Sequence, residues 1–279
     1  MTERASFVGT LIWNSASEFF EPLISLLRAP VVRRAVRTIV LNIHLTIPLI
    51  SLIYTLGNLT LHKPEMVYRT DVGELKQVRL PAGTSVALNT DALLRVQSSS
   101  DGMTMQLVKG EALFTVRPQS SLPLLVRAGN AEVRTAGAVF AVRLQSSGSV
   151  NILVSEGNVE LESPVRRLLR AGDIAETSAS SDRIGLLPES DLRRKLSWEK
   201  GYLKFDGATL SEAVADLNRY NKLRIVIDDP SVAKTRIGGE FRATDTEAFC
   251  GFLRAALGIR INRVETESGT EIHLSGPSS

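Results

Sequence analysis

The stretch MTMQLVKGEALFTV, residues 103–116, sets Met103, Met105 and Leu107 on alternate positions, crosses Gly110, and then alternates Ala112, Phe114 and Val116. Period-two alternation turns one row of side chains to a core and the other to water, so each run predicts a half-buried β-strand. The cadence continues outward in both directions. Val86 and Leu88 alternate upstream; downstream come Leu124, Val126 and Ala128, then Ala138, Phe140 and Val142, then Val150, Ile152 and Val154. Gly73, Gly83, Gly102, Gly110, Gly129, Gly137, Gly148, Gly157 and Gly172 punctuate these runs, where turns need a permissive backbone. No helical stretch interrupts residues 67–178, and the segment predicts an all-β sandwich or barrel.

Beyond it the pattern changes. Residues 179–196 are polar and charged around Pro188 and read as a linker that ends in a helical turn. Thr209-Leu-Ser-Glu212 has the form of a capping box, and Leu210, Ala213, Val214, Leu217 and Tyr220 follow as one apolar stripe at helical spacing. The signature recurs at Thr244-Asp-Thr-Glu247, followed by Ala248, Phe249, Phe252, Leu253, Ala256 and Leu257, with Gly258 as a stop. Strand candidates are Tyr202–Phe205, Leu223–Ile227, Ile237–Phe241, Ile259–Val264 and Glu271–Leu274. The order β-α-β-β-α-β-β over residues 197–275 predicts a small α+β domain, so the chain as a whole is mainly β with α+β.

Upstream, Thr38–His62 holds 25 residues without Lys, Arg, Asp or Glu, more than the roughly 20 that span a bilayer as helix. Pro48 is tolerable there with a kink. Arg28, Arg33, Arg34 and Arg37 crowd the N-terminal flank, and by the positive-inside rule the N-terminus is cytoplasmic and everything after about residue 62 lies outside. Residues 38–62 therefore read as a single transmembrane helix. The first 37 residues, with Phe7, Leu11, Ile12 and Trp13 among small residues, read as a short helix lying on the inner membrane face or docking on a partner.

Composition agrees with an ordinary folded protein. The 279 residues are 43% hydrophobic and 23% charged with a net charge of +3, and the basic residues are interleaved with acids, which argues against nucleic acid as a direct partner. The lone Cys250 forms no intramolecular disulfide and sits in a helical pattern beside Phe249 and Phe252, as a small buried hydrophobe does. His44, His62 and His273 are scattered, which speaks against a histidine-rich metal site, and Gly238-Gly239 belongs to no phosphate-binding loop. Glu74, Glu111 and Glu156 fall at predicted turns, where acids are solvated or bonded to the turn. No catalytic, cofactor or metal constellation emerges, so the expectation is a protein that is not an enzyme, and no partner-binding residue is singled out.

The ordered series VGELKQVRLPAGTSVALNTDALLRV, KGEALFTV, AEVRTAGAVFAVR and VNILVSEGNVELES resembles the FecR domain, matching its cadence at Gly73, Glu74, Gly83, Leu88, Asn89, Gly110, Glu111, Ala112, Phe114, Val116, Gly137, Phe140, Val142, Glu156, Gly157 and Val159. Ala82 stands where the family has aspartate, and Ala138 where it has threonine. The C-terminal part, through Trp198, Gly201-Tyr-Leu-Lys-Phe205, Asp216-Leu-Asn-Arg-Tyr220 and Ile237-Gly-Gly-Glu-Phe241, is similar to the family's C-terminal domain and to the short N-terminal (STN) domain of secretins and TonB-dependent receptors. The resemblance implies a transmembrane sensor of the bacterial inner membrane, with its C-terminal domains in the periplasm. Such a sensor receives a signal from the signalling domain of a TonB-dependent outer-membrane receptor, typically one importing ferric siderophores. It passes that signal to an extracytoplasmic-function (ECF) sigma factor as anti-sigma factor, activator or both. The family's cytoplasmic region is ordinarily a helical domain, whereas 37 residues precede the apolar segment here. The alternative reading is an envelope scaffold without sigma-factor control.

Overall fold

Strands dominate the described residues of the computed structural model, which are 65–279 without 100–101, 119–122, 164, 179–180, 268 and 278–279, together with 47, 51 and 52. The expected cytoplasmic segment 1–37 lies outside the described residues. Of the expected spanning segment 38–62 only Ile47, Ser51 and Leu52 are described, all helical. Among the described residues no helix is long and apolar enough to cross a membrane. Pro64–Ser279 forms one compact unit.

Its first part contains β1 (Glu65–Arg69), β2 (Lys76–Arg79), β3 (Ser85–Leu88), β4 (Leu93–Ser99), β5 (Gly102–Val116), β6 (Leu124–Ala128), β7 (Ala131–Thr135), β8 (Ala138–Leu144), β9 (Val150–Glu162), β10 (Arg166–Arg170), β11 (Asp173–Thr177) and β12 (Asp182–Leu186). They join into a 12-stranded sheet. Two long strands belong to both of its halves. The start of β5 pairs with β4 and β6 and its end with β3 and β8. The start of β9 pairs with β8 and β11 and its end with β7 and β10. Both halves face one apolar core, in which Phe114 and Phe140, opposite each other in register, stack at 5.1 Å.

The strand read as two runs broken at Gly110 is continuous. Leu93 and Leu94 pair with Lys109 and Leu107, leaving Val108 as the extra residue of a bulge. One inserted residue reverses the parity of a strand, which is why Met105 and Leu107 face the core before the bulge and Ala112, Phe114 and Val116 after it. The same device acts in β9. Val139 and Phe140 pair with Glu156 and Val154, Ser155 is extra, and the core row passes from Val150, Ile152 and Val154 to Val159 and Leu161. Bulges let a strand turn a corner between packed layers. Gly110 and Gly157 follow them inside strands rather than in the expected turns. Their φ angles are +85° and +76°, and a Cβ would lie 2.7 Å from Ala92 Cα or 2.6 Å from the Gly137 carbonyl oxygen, so only glycine fits.

The segment read as a linker, 179–196, carries β12, paired antiparallel to β11, and α1 (Glu189–Lys195). There follow β13 (Tyr202–Thr209), α2 (Leu210–Tyr220), β14 (Arg224–Ile227), α3 (Pro230–Ala233), β15 (Arg236–Arg242), α4 (Thr246–Leu257), β16 (Arg260–Thr266) and β17 (Gly269–Ser275). The predicted β-α-β-β-α-β-β order is present with the short α3 added, as an antiparallel pair β13–β15 and a sheet β14–β17–β16. The capping box of α2 forms as read: Glu212 N donates to Thr209 Oγ1 at 3.2 Å and Thr209 N to Glu212 Oε2 at 2.8 Å. The second box is corrected. Asp245, not Thr244, caps α4, accepting from Ala248 N at 2.9 Å, because the helix starts one residue later and offers its free amides to the carboxylate.

A second core joins the two parts. Leu113, Ala141 and Leu153, on the outer face of β5, β8 and β9, are buried with Trp198, Leu203, Phe205, Leu210 and Leu217. That half of the sheet is therefore covered on both faces. Leu113 and Leu153 of the β-domain each contribute on the order of 2 kcal/mol by burial, which holds the C-terminal module on the β-domain.

Candidate functional site

The turn between β3 and β4 is tied down first. Thr70 Oγ1 donates to the Asn89 carbonyl at 2.6 Å and accepts from Ala92 N at 2.9 Å. This leaves the Asn89 side chain, fully buried, pointing at the C-terminal module. Its Oδ1 accepts from Thr90 N at 2.8 Å, while Nδ2 donates to Glu111 Oε2 at 2.9 Å and to the Tyr220 hydroxyl at 2.8 Å. Arg219 Nη2 donates to the same Glu111 oxygen at 2.7 Å. Thr90 Oγ1 accepts from Gly73 N at 2.8 Å and donates to the Arg219 carbonyl at 3.2 Å. Two residues of the β-domain, Asn89 and Glu111, thus grip two at the end of α2.

The amphipathic order of α2 puts Arg219 and Tyr220 there. Leu210, Ala213, Val214 and Leu217 seat the helix in the second core. Asn218 then exchanges two hydrogen bonds of 2.8 Å with the backbone of Ile225, fixing β14 beside the helix. Electrostatics follow from burial. It pushes the Tyr220 hydroxyl up to about 12, so the group stays neutral. It also opposes the charge on Arg219, but Glu111, Tyr220 and Asp216 together outweigh that and hold the guanidinium above its ordinary value. Burial raises the Asp216 carboxyl, offset in part by Arg219 and Arg143.

Asp216 and Arg219 line a cleft of about 580 Å³ between the module and the β-domain, floored by Leu153, Ile174, Leu203 and Phe205. Trp198 also lines it. This residue is 3% exposed and its indole Nε1 has no hydrogen-bond partner. A clasp of neutral and paired polar groups beside a mixed cleft suits binding and mechanical coupling.

Glu111 corrects the expectation of a turn-bonded or solvated acid. It is 8% exposed and paired across the junction, because the bulge at Val108 turns it, like Leu113, to the outer face of β5 that the C-terminal module covers. Glu74 does bond its turn, accepting from Asp71 N at 2.9 Å, and Glu156 is exposed. Cys250 is buried in the second core as expected, with burial pushing its thiol up to about 11. His273 lies elsewhere, with Nδ1 2.7 Å from Asp228 Oδ1. The sequence marked Asn89, Glu111, Arg219 and Tyr220 as motif residues without bringing them together. A signal was available in ALF, AVFAV and ILV around residues 112–114, 138–142 and 152–154, nearly continuous apolar runs that denote strands covered on both faces.

Residues 66–160 match the family described as FecR protein. Two crystal structures of a candidate anti-sigma factor from Parabacteroides distasonis are similar to this chain. One has a TM-score of 0.61 at 28% identity, covering 76% of this chain and all of that one. The other has a TM-score of 0.60 at 27% identity, covering 77% and again all of that chain. No curated protein matches. The motif series, the matched segment and the structural likeness agree: residues 66–160 of this chain match the FecR family, and most of the chain is similar in structure to a candidate anti-sigma factor.

Proposed function

We propose that this protein, whose residues 66–160 match the FecR family, is an inner-membrane regulator of the FecR type. Its Pro64–Ser279 unit lies in the periplasm and takes a signal from the signalling domain of a TonB-dependent outer-membrane receptor for ferric siderophores. The signal passes to an ECF sigma factor in the cytoplasm. The observation that carries this reading is the likeness to a candidate anti-sigma factor over 77% of the chain. The charge-free stretch 38–62 with its basic N-terminal flank supports the membrane placement. The junction supports relay. A partner that pulls or turns the C-terminal module acts on the β-domain too, because Asn89 and Glu111 hold Tyr220 and Arg219.

Deletion of the gene, with transcription of iron-uptake receptor genes measured in iron-poor medium, tests the output. A changed response, together with recovery of a sigma factor and a receptor on the full-length protein purified from its own cells, is the expected result. Unchanged transcription and recovery of neither partner would favour an envelope scaffold.

A further inference from the structure

We propose that the cleft beside α2 binds an extended acidic polypeptide as a strand added to β13. The inference rests on the reading of this junction as the place where an outside partner acts, and it names the chemistry of that partner.

Charge comes first. Six basic side chains line the cleft: Arg143, Arg194, Lys195, Lys204, Arg219 and Arg236. Arg219 is paired with Glu111 and Arg194 with Asp191. Among the described residues the other four have no ion-pair partner. Three acids face them. Glu111 is neutralised by Arg219, and Glu212 is held by the capping box of α2. Only Asp216 remains unpaired. Arg236 also donates to the Gly207 carbonyl at 2.6 Å but keeps its charge, so four cations without an ion pair surround one carboxylate without one and favour an anionic ligand.

Backbone geometry specifies its kind. In the two-stranded β13–β15 sheet, β15 occupies one edge of β13. Leu203, Lys204, Phe205, Gly207 and Ala208 of β13 line the cleft; the Gly207 carbonyl accepts from Arg236, and no other described strand pairs with β13. A strand edge with unpaired amides and carbonyls is the template for strand addition. Trp198, whose buried indole Nε1 has no hydrogen-bond partner, and the half-buried Asp216 carboxylate also line the cleft. A peptide backbone offers both N–H and C=O groups in alternation. Apolar side chains on one face of the added strand would meet Leu153 and Ile174, and acidic ones on the other would meet Lys195 and Lys204. This chain's own residues 28–37 are basic and do not suit the site.

The test uses full-length protein and fluorescein-labelled peptides of about ten residues that alternate valine with glutamate or with lysine. Anisotropy should show the glutamate peptide binding and the lysine peptide at least tenfold weaker. Lys195→Glu with Lys204→Glu, both exposed and so neutral to folding, should weaken the glutamate peptide about tenfold. Trp198→Phe, which keeps an apolar plate and removes the donor, should weaken it severalfold. Methylating alternate peptide amides should abolish strand addition. Equal binding of both peptides, no binding tighter than about 1 mM, or full affinity of the methylated peptide would each overturn the proposal. If deletion changes transcription while the cleft ignores the peptide, the inference falls and the regulator reading stands.

Discussion

Removing the guanidinium from the junction clasp should uncouple its two sides at a measurable cost. In Arg219→Met the helix keeps an unbranched side chain, but Glu111, 8% exposed, loses its partner at 2.7 Å and retains only the Asn89 amide. At that separation the Coulomb attraction is about 1.5 kcal/mol in water and about 6 kcal/mol at an effective dielectric of 20. Breaking a fully buried pair from one side costs roughly 3–5 kcal/mol. Here the Arg219 side chain is 23% exposed, and water entering beside Glu111 lowers the expectation to about 2–3 kcal/mol. For a unit of this size that is a fall in Tm of roughly 5–10 °C. Glu111→Gln should cost less, about 1 kcal/mol, because the glutamine amide carbonyl still accepts from Asn89 and Arg219 regains water. The double variant should fall short of the sum by about 1–2 kcal/mol. Urea denaturation followed by circular dichroism and by tryptophan emission supplies all four corners of the cycle. Strict additivity, or an Arg219→Met variant within about 0.5 kcal/mol of the parent, would refute the clasp as a coupling element.

Four further outcomes follow from the same structure. The Asp228 hydrogen bond raises the His273 pKa above its ordinary value, burial opposing it in part, and Glu271 at 3.4 Å adds attraction. The stability from this contact is complete below the unfolded imidazole value of about 6.5 and is lost as pH rises through the folded one. His273→Gln should therefore lower the urea midpoint more at pH 6 than at pH 8.5, and an equal loss at both would contradict it. Asp216, its pKa raised chiefly by burial, costs stability when ionised, so Asp216→Asn should raise the midpoint at pH 7 and lose that advantage as pH falls toward 3. Cys250, buried with its thiol pushed up to about 11, should resist iodoacetamide in the native protein and react only on unfolding, as mass spectrometry would show. Gly157→Ala, forced to φ +76° with its Cβ 2.6 Å from the Gly137 carbonyl oxygen, should cost at least about 2 kcal/mol in the same denaturation assay.

Period, caps and punctuation in the chain were enough for much of the architecture. Alternation from Val86 to Val154 specifies strands and their core row, because the side-chain period of a strand is local. The Thr209–Glu212 capping box and the Leu210–Leu217 stripe specify α2 for the same reason. Where the local signal was ambiguous, tertiary structure decided. Thr244 and Asp245 could both cap, and the exact start of α4 chose between them. A parity change across Gly110 reads equally as two strands with a turn or one strand with a bulge, and pairing with β4, β3 and β8 selected the bulge.

The junction lay wholly beyond local reading. Asn89 and Tyr220 are 131 positions apart and Glu111 and Arg219 are 108 apart, so no spacing rule connects them. Their meeting depends on the outer face of β5, β8 and β9 being covered by the C-terminal module. The sequence by itself determined which residues are apolar, which turns need glycine and where helices can begin. The apolar runs at 112–114, 138–142 and 152–154 offer a second face for burial, but only the folded chain decided that the C-terminal module covers it, because that is a property of what packs there and not of the strand that offers it.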